Sequence, residues 1–218
     1  LGFDPYKVLT FRDKDLRKSV ALDKAKAATE AEAVMNPKKS RIYYHYMNDV
    51  PMVGYSTADG RHIKGIEDYI PHSQYLSSEH QKAVVKDILE NWLTLSHGYK
   101  FHAIFATSSI NEAITYYKLL KPAKSYVKVT CLFDPGIDNN GGAEFKEEGL
   151  IEIIKDYNAR YGQDFILSNY GKFKKDIANR LAHKDPYRLI ERTPEKQIDI
   201  LIVVDQMLTG FDSKWLNT

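Results

Sequence analysis

The sequence predicts an α/β protein: a parallel β-sheet flanked by helices over residues 100–218, preceded by a mainly helical and irregular segment over 1–99. Three observations point there. β-Rich stretches at 101–107, 126–133 and 198–204 alternate with stretches whose apolar residues recur every three or four positions. The last stretch, Ile198-Asp199-Ile200-Leu201-Ile202-Val203-Val204, is apolar on both faces, as suits a strand covered on both sides of a parallel sheet. Strands alternating with helices are joined by right-handed crossovers, which lays the helices on the faces of one sheet.

In chain order, Leu1–Thr10 reads as a short strand and Arg12–Met35 as a charged, solvated helix with a thin apolar stripe. Pro37-Lys38-Lys39 is expected to break that helix. The tyrosine run Tyr43, Tyr44 and Tyr46 follows, then a turn at Asp59-Gly60. Residues 78–96 read as a helix with Val85, Ile88, Leu89 and Trp92 on its apolar face and Gly98 as its stop. From Lys100 the character changes. Phe101–Thr107 is a strand, and Ser109 with Glu112 three positions on is a capping-box signature that starts a helix. Ile110, Ala113, Ile114 and Tyr117 form its inner face, and Pro122 follows its end. Tyr126–Phe133 is the second strand. Asp134–Gly142, with three glycines, two asparagines and a proline, is a loop. Leu150, Ile153, Ile154 and Tyr157 mark one further helix, and Tyr170, Phe173, Ile177 and Leu181 another.

Composition bounds the function. Hydrophobic residues at 43% and charged ones at 28% suffice for a buried core. With 31 basic against 29 acidic side chains the net charge is +2, so any nucleic-acid contact must be local and not a global basic field. Cys131, the single cysteine, excludes an internal disulfide and any multi-cysteine metal site. No apolar run approaches the roughly 20 residues that span a bilayer and no signal peptide is visible, so a cytoplasmic protein is expected. The opening on Leu1, and the stop six residues after the 205–212 segment, lead us to expect a piece of a longer chain.

Two strand ends carry the chemistry. Asp205-Gln206-Met207-Leu208-Thr209-Gly210-Phe211-Asp212 follows the last strand, and ligands of open α/β sheets bind beyond the carboxyl ends of strands. Thr209 offers a hydroxyl and Gly210 an unobstructed backbone N–H, a match to a phosphate oxygen; Asp212 suits a ribose hydroxyl or a cation. A tight turn after a core strand is the plainer reading of the same residues. Thr107-Ser108-Ser109 also ends a strand and opens a helix, where free N–H groups and the dipole favour an anion. There, the plainer reading makes Ser109 an N-cap and nothing more. Together the two ends suit successive phosphates of one nucleic-acid strand, provided that they lie side by side.

With these residues in view, a resemblance becomes specific. Phe101–Lys121 (FHAIFATSSINEAITYYKLLK) resembles motif IV, and Ile198–Thr218 (IDILIVVDQMLTGFDSKWLNT) motif V, of the R subunit of type I restriction enzymes, a member of helicase superfamily 2. LGFDPYKVLT at the start resembles the segment that enters the second motor lobe, and ILENW in the helix before motif IV also fits. The resemblance implies the second RecA-like lobe of an ATP-dependent DNA translocase and endonuclease, with a connector over 1–99 and an incomplete lobe over 100–218. It implies that Thr107, Ser108, Ser109, Thr209 and Gly210 meet the DNA backbone, with Gly210 and Asp212 toward the nucleotide. It further implies ATP and Mg in the parent protein, none bound to this stretch alone, and duplex DNA, methyltransferase and specificity subunits and the first motor lobe as partners.

The sequence holds no GxxxxGK[ST] phosphate loop, no DEAD-like acidic box, no arginine-bearing motif VI and none of the nuclease residues that the family implies. No catalytic residue is therefore expected here, and the sheet is expected to have an unpaired edge. The seven histidines lack the i, i+4 pairing of a helical metal site, so no metal site is expected, and His102 reads as a satisfied core or rim residue. The tyrosine run is expected to pack on the helix around Trp92, with base stacking the alternative. Lys172, Lys174, Lys175 and Arg180 form a basic cluster, either a solvated surface or an auxiliary duplex contact. Two other functions stay open at this point: a lobe of another superfamily 2 helicase, and a non-enzymatic α/β binding module.

Overall fold

The computed structural model describes residues 13–71, 75–123, 126–134, 143–204 and 213–216. The chain forms two compact units, one over Lys7–His80 and one over Gln81–Thr218. No helix among the described residues is long and apolar enough to cross a membrane.

In the smaller unit the charged stretch makes two helices, α1 (Asp13–Ala25) and α2 (Glu30–Met35), in place of the single one expected. Lys26, at φ 50°, turns the chain between them. The Thr29 hydroxyl then accepts from the Glu32 N–H at 3.2 Å, and the Glu32 carboxylate accepts from the Ala28 N–H, one residue ahead of the N-cap, at 2.8 Å, so an N-cap restarts the helix. Pro37 ends α2 as expected, with Asn36 extended ahead of it, and at the same time opens the next helix. Asn36 accepts from the N–H groups of Lys38 and Lys39 at 3.0 and 3.3 Å, and Pro37 sits in the first turn of α3 (Pro37–Tyr44), where its missing N–H costs nothing. Nor is α1 merely solvated: Leu16 and Val20 are buried with Val50 and Ile66, while Ala21 and Ala25 are buried with Ala33 and Tyr43. Tyr43 thus sits in this unit's own core, in place of the expected seat on the helix around Trp92. A hairpin of β1 (Tyr55–Ser56) and β2 (His62–Ile63) turns at Gly60, φ 81°.

The larger unit carries the sheet. α4 (Ser78–Leu95) buries Val84, Val85, Ile88 and Trp92, with Leu89 only half-buried. Gly98, at φ 70°, donates to the Leu93 carbonyl at 2.8 Å and ends the helix region as expected. Strands β3 (Ala103–Thr107), β4 (Val129–Leu132) and β5 (Ile200–Val204) pair in the order β3-β5-β4, all parallel, with β5 central and buried along its whole length. The α/β, RecA-like class read from the sequence is the class observed. α5 (Ile110–Leu120) packs on all three strands, and α6 (Ala143–Tyr161) packs on α5 and β4. α5 and α6 approach so closely that a Cβ at Gly149 would lie 2.6 Å from Ile114 Cδ1.

α7 (Tyr170–Leu181) docks through Phe173, Ile177 and Leu181 and brings one correction. Arg180, grouped by sequence with the exposed lysines, is buried at 2% exposure. Its Nε donates to the Asp176 carboxylate at 2.9 Å and its Nη1 to the Lys196 carbonyl at 2.9 Å. The guanidinium lies 4.2 Å from the ring centroids of both Tyr161 and Tyr187. A buried cation survives only when paired in this way.

At the amino end of the sheet, burial holds the Asp199 carboxyl above the ordinary carboxylate range despite its 2.7 Å ion pair with Lys128. His102, just ahead of β3, is the satisfied core residue expected: its Nε2 lies 2.9 Å from Nε2 of buried His183, whose ring stacks on Trp215 at 4.1 Å. Burial first, then the neighbouring His183, pushes the His102 imidazole down to about 4.

Candidate nucleic-acid interface

Parallel strands all end at the same side of a sheet, so the register decides which tips are neighbours. Thr107, last in β3, pairs with Val204, last in β5. The end of the Thr107-Ser108-Ser109 strand therefore stands directly beside the end of the strand that leads into 205–212. Neighbouring strands run about 4.8 Å apart, close to the spacing that one phosphate group can bridge. Thr209, Gly210 and Asp212 themselves lie outside the described residues.

The three hydroxyls of the β3 tip do different things. Thr107 is 5% exposed, and its Oγ1 donates to the Val203 carbonyl at 3.1 Å, with Ser109 O at 3.3 Å. That hydroxyl ties β3 to β5 and fixes the tip. Ser109 is half-buried and caps α5: its Oγ accepts from the Glu112 N–H at 3.2 Å, with extended backbone at φ −153°. Ser108 is the exposed member. Its N–H and its Oγ–H both point at one carboxylate oxygen, Glu112 Oε2, at 2.8 and 2.7 Å.

Glu112 is the residue that sequence reasoning undervalued, reading it only as the far half of a capping box. In that motif the carboxylate turns back to the N-cap N–H; here it reaches one residue further, to Ser108. The cue was present in the doubled serine, since Ser108 ahead of the capping Ser109 supplies both an N–H and an O–H to the same anion. The chain's own Glu112 carboxylate thus sits at the β3 tip, held by the N–H and O–H of Ser108.

The other end of the sheet is chemically different. A cavity of about 470 Å³ lies near Val129, the first residue of β4, lined also by Tyr117, Lys121, Asp156, Arg160 and Tyr161. Its charges are spent internally: Lys121 pairs with Glu152 and Asp156 at 2.7 Å each, and Tyr117 donates to Asp156 at 2.7 Å. The hydrogen bond to Asp156 leads the causes that push the Lys121 ammonium up. Among the described residues no group of three or more His, Cys, Asp or Glu side chains converges to hold a metal ion.

Residues 99–218, more than half of the chain, match the family model for domain 3 of the type I restriction enzyme R subunit. The chain belongs to that family. The match favours the R-subunit family over a lobe of a different superfamily 2 helicase. Curated relatives agree. An endonuclease subunit of a type I restriction enzyme from Staphylococcus aureus (strain COL) is 27% identical over 152 residues, covering 66% of this chain and 16% of the relative. The corresponding subunit of Staphylococcus saprophyticus is 27% identical over 182 residues, covering 79% of this chain and 18% of its own. This R-subunit chain therefore spans under a fifth of the relatives it matches. The Thr107-Ser108-Ser109 tip and the whole sheet fall inside the matched family domain.

Proposed function

We propose that this chain is the DNA-gripping half of the motor in a type I restriction endonuclease subunit acting in the cytoplasm. Hydroxyl and backbone N–H groups at the carboxyl tips of β3 and β5 hold phosphate oxygens of one DNA strand, without reading its bases. The observation that carries this reading is the register: Thr107 pairs with Val204, so the two tips are adjacent and a single strand of nucleic acid reaches both.

Each tip residue then has a task. Thr107 locks the end of β3 to β5 and keeps the tip rigid. Ser109 aligns the first turn of α5. Ser108 presents an N–H and an O–H to the phosphate, and the Glu112 carboxylate swings away from them as DNA arrives. Thr209 and Gly210 supply the same kinds of donor from the neighbouring strand end. Movement of the tips as a rigid group against the first motor lobe carries the held strand along.

ATP and Mg belong to the parent subunit in this reading. Gly210 and Asp212 are this chain's contribution to the interlobe nucleotide site. Duplex DNA, the first motor lobe, and the methyltransferase and specificity subunits are the partners. The test is made in the full-length subunit: Thr209→Ala and Asp212→Ala each reduce DNA-stimulated ATP turnover while the circular dichroism spectrum stays native. Undiminished turnover in both variants contradicts the assignment.

A further inference from the structure

The lysines of α7 stand at the same end of the sheet as the β3 tip. Tyr170, the first residue of α7, donates its hydroxyl to the Phe133 carbonyl at 2.6 Å, one residue beyond the carboxyl end of β4. That bond pins the start of the helix to the carboxyl edge. Lys174 lies along the Tyr170 ring, its Nζ 5.8 Å from the centroid. Lys172 and Lys175 are exposed, on the side of α7 away from the buried Phe173, Ile177 and Leu181. Removal of Arg180 to the core leaves Lys172 and Lys175 as exposed cations of the cluster, with Lys174 half-buried beside the Tyr170 ring.

Their electrostatics are unusual for a merely solvated surface. Among the described residues, none of the three makes an ion pair, although the chain as a whole carries nearly as many acids as bases. They also occupy the first turns of α7, where the helix dipole disfavours positive charge, and its first turn holds no acid to offset them. Burial chiefly, with a smaller contribution from nearby Asp134, raises the Tyr170 phenol. Unpaired cations set against a local dipole, at the edge where an anion is already held by Ser108, match a polyanion.

We propose that Lys172, Lys174 and Lys175 form a second contact to the sugar–phosphate backbone of duplex DNA, at the sheet end that carries Ser108. This rests on the proposed grip at the strand tips and adds where the other strand of the duplex lies. β3 and β4 are separated by one strand, so their tips stand about 10 Å apart. A duplex sets its two backbones about 6 Å apart across the minor groove and about 12 Å across the major groove. The separation of the tips falls between those two widths, and the long, flexible lysine side chains span the difference. Lysine suits such a contact as a point charge, indifferent to base sequence.

The test uses the 218-residue chain and a 20-base-pair duplex, with binding followed by fluorescence anisotropy against salt. Each lysine–phosphate contact contributes about 0.9 to the slope of log affinity against log salt. The triple variant Lys172→Gln/Lys174→Gln/Lys175→Gln is expected to bind more weakly, with its slope reduced by about 2 to 3. The triple arginine variant is expected to keep the slope, and thermal unfolding to show both variants folded. If the native chain binds steeply with salt and the glutamine variant keeps its slope, this contact is overturned while the strand-tip reading stands. If the native chain does not bind the duplex at all, both fall. Displacement of the duplex by poly-L-glutamate at equal charge concentration would overturn the duplex assignment in favour of an acidic protein surface.

Discussion

The two units of this chain are held together by different means. In the larger, a central strand buried along its whole length is flanked by two parallel neighbours and covered by helices that bury Ile114, Leu120, Ile153 and Phe173. In the smaller, short helices close over alanines, Tyr43 and a few aliphatic residues, and their ends depend on caps from Thr29 and Asn36. Its hairpin leaves Tyr55 and Ile63 exposed. The contrast teaches where rigidity has been placed. The carboxyl tips of β3 and β5 grow out of the most completely buried part of the molecule.

The largest expected effect breaks that contrast at the central strand. Ile202 is fully buried, so Ile202→Ala should cost about 2–5 kcal/mol in urea unfolding, through lost transfer energy and a cavity. Ile63→Ala on the exposed hairpin should stay within about 0.5 kcal/mol. Equal costs would show that the sheet is not the rigid element.

A second effect is sharpened by pH. His102 must stay neutral: its ring is buried, His183 faces it at 2.9 Å, Lys128 also opposes its charge, and only the Ile198 carbonyl favours the protonated form. Glu191, 3.5 Å from His183, and Lys214 act on the partner ring. Because the folded value is depressed to about 4, the stabilisation is complete above the unfolded value near 6.5 and is lost as pH falls between the two. That loss amounts to about 3 kcal/mol by linkage. His102→Gln should flatten the dependence in this window, read as unfolding free energy at pH 7 and at pH 4.5; an unchanged slope would rule His102 out as its source.

A smaller effect belongs to the other unit. Asn36→Ala should destabilise by about 1 kcal/mol, and Asn36→Gly by only a few tenths, because glycine also serves as an N-cap. Matching losses in the two variants would mean that the cap bonds are not what starts α3.

The same contrast explains what could be read in the sequence. Strands and helices of the larger unit were legible because burial imposes a period: Ile110, Ala113, Ile114 and Tyr117 are all buried as their spacing required. Strand starts were not. Each ladder begins two or three residues later than the apolar pattern, because Phe101 and His102 bond instead to Ser96 and Trp215, and Asp199 bonds to Lys128. Arg180 was misread because the Tyr161 and Tyr187 rings that enclose it come from other segments, and only Asp176, one turn back on α7, is local. The break at Lys26 has no glycine to announce it. At the β3 tip the hydroxyl side chains were legible, and their separate hydrogen-bond partners were not. Thr107 carries a hydroxyl like its neighbours, and only the register with β5 reveals that it is committed to Val203.

Amide chemical-shift mapping tests the grip at the carboxyl tips most directly. On titration of the isotope-labelled chain with a 20-base-pair duplex at low salt, Ser108, Ser109 and Gly210 should shift together. Residues around the cavity at the amino end, Tyr117 and Arg160 among them, should not move. Shifts confined to that cavity, with the strand tips silent, would contradict the account.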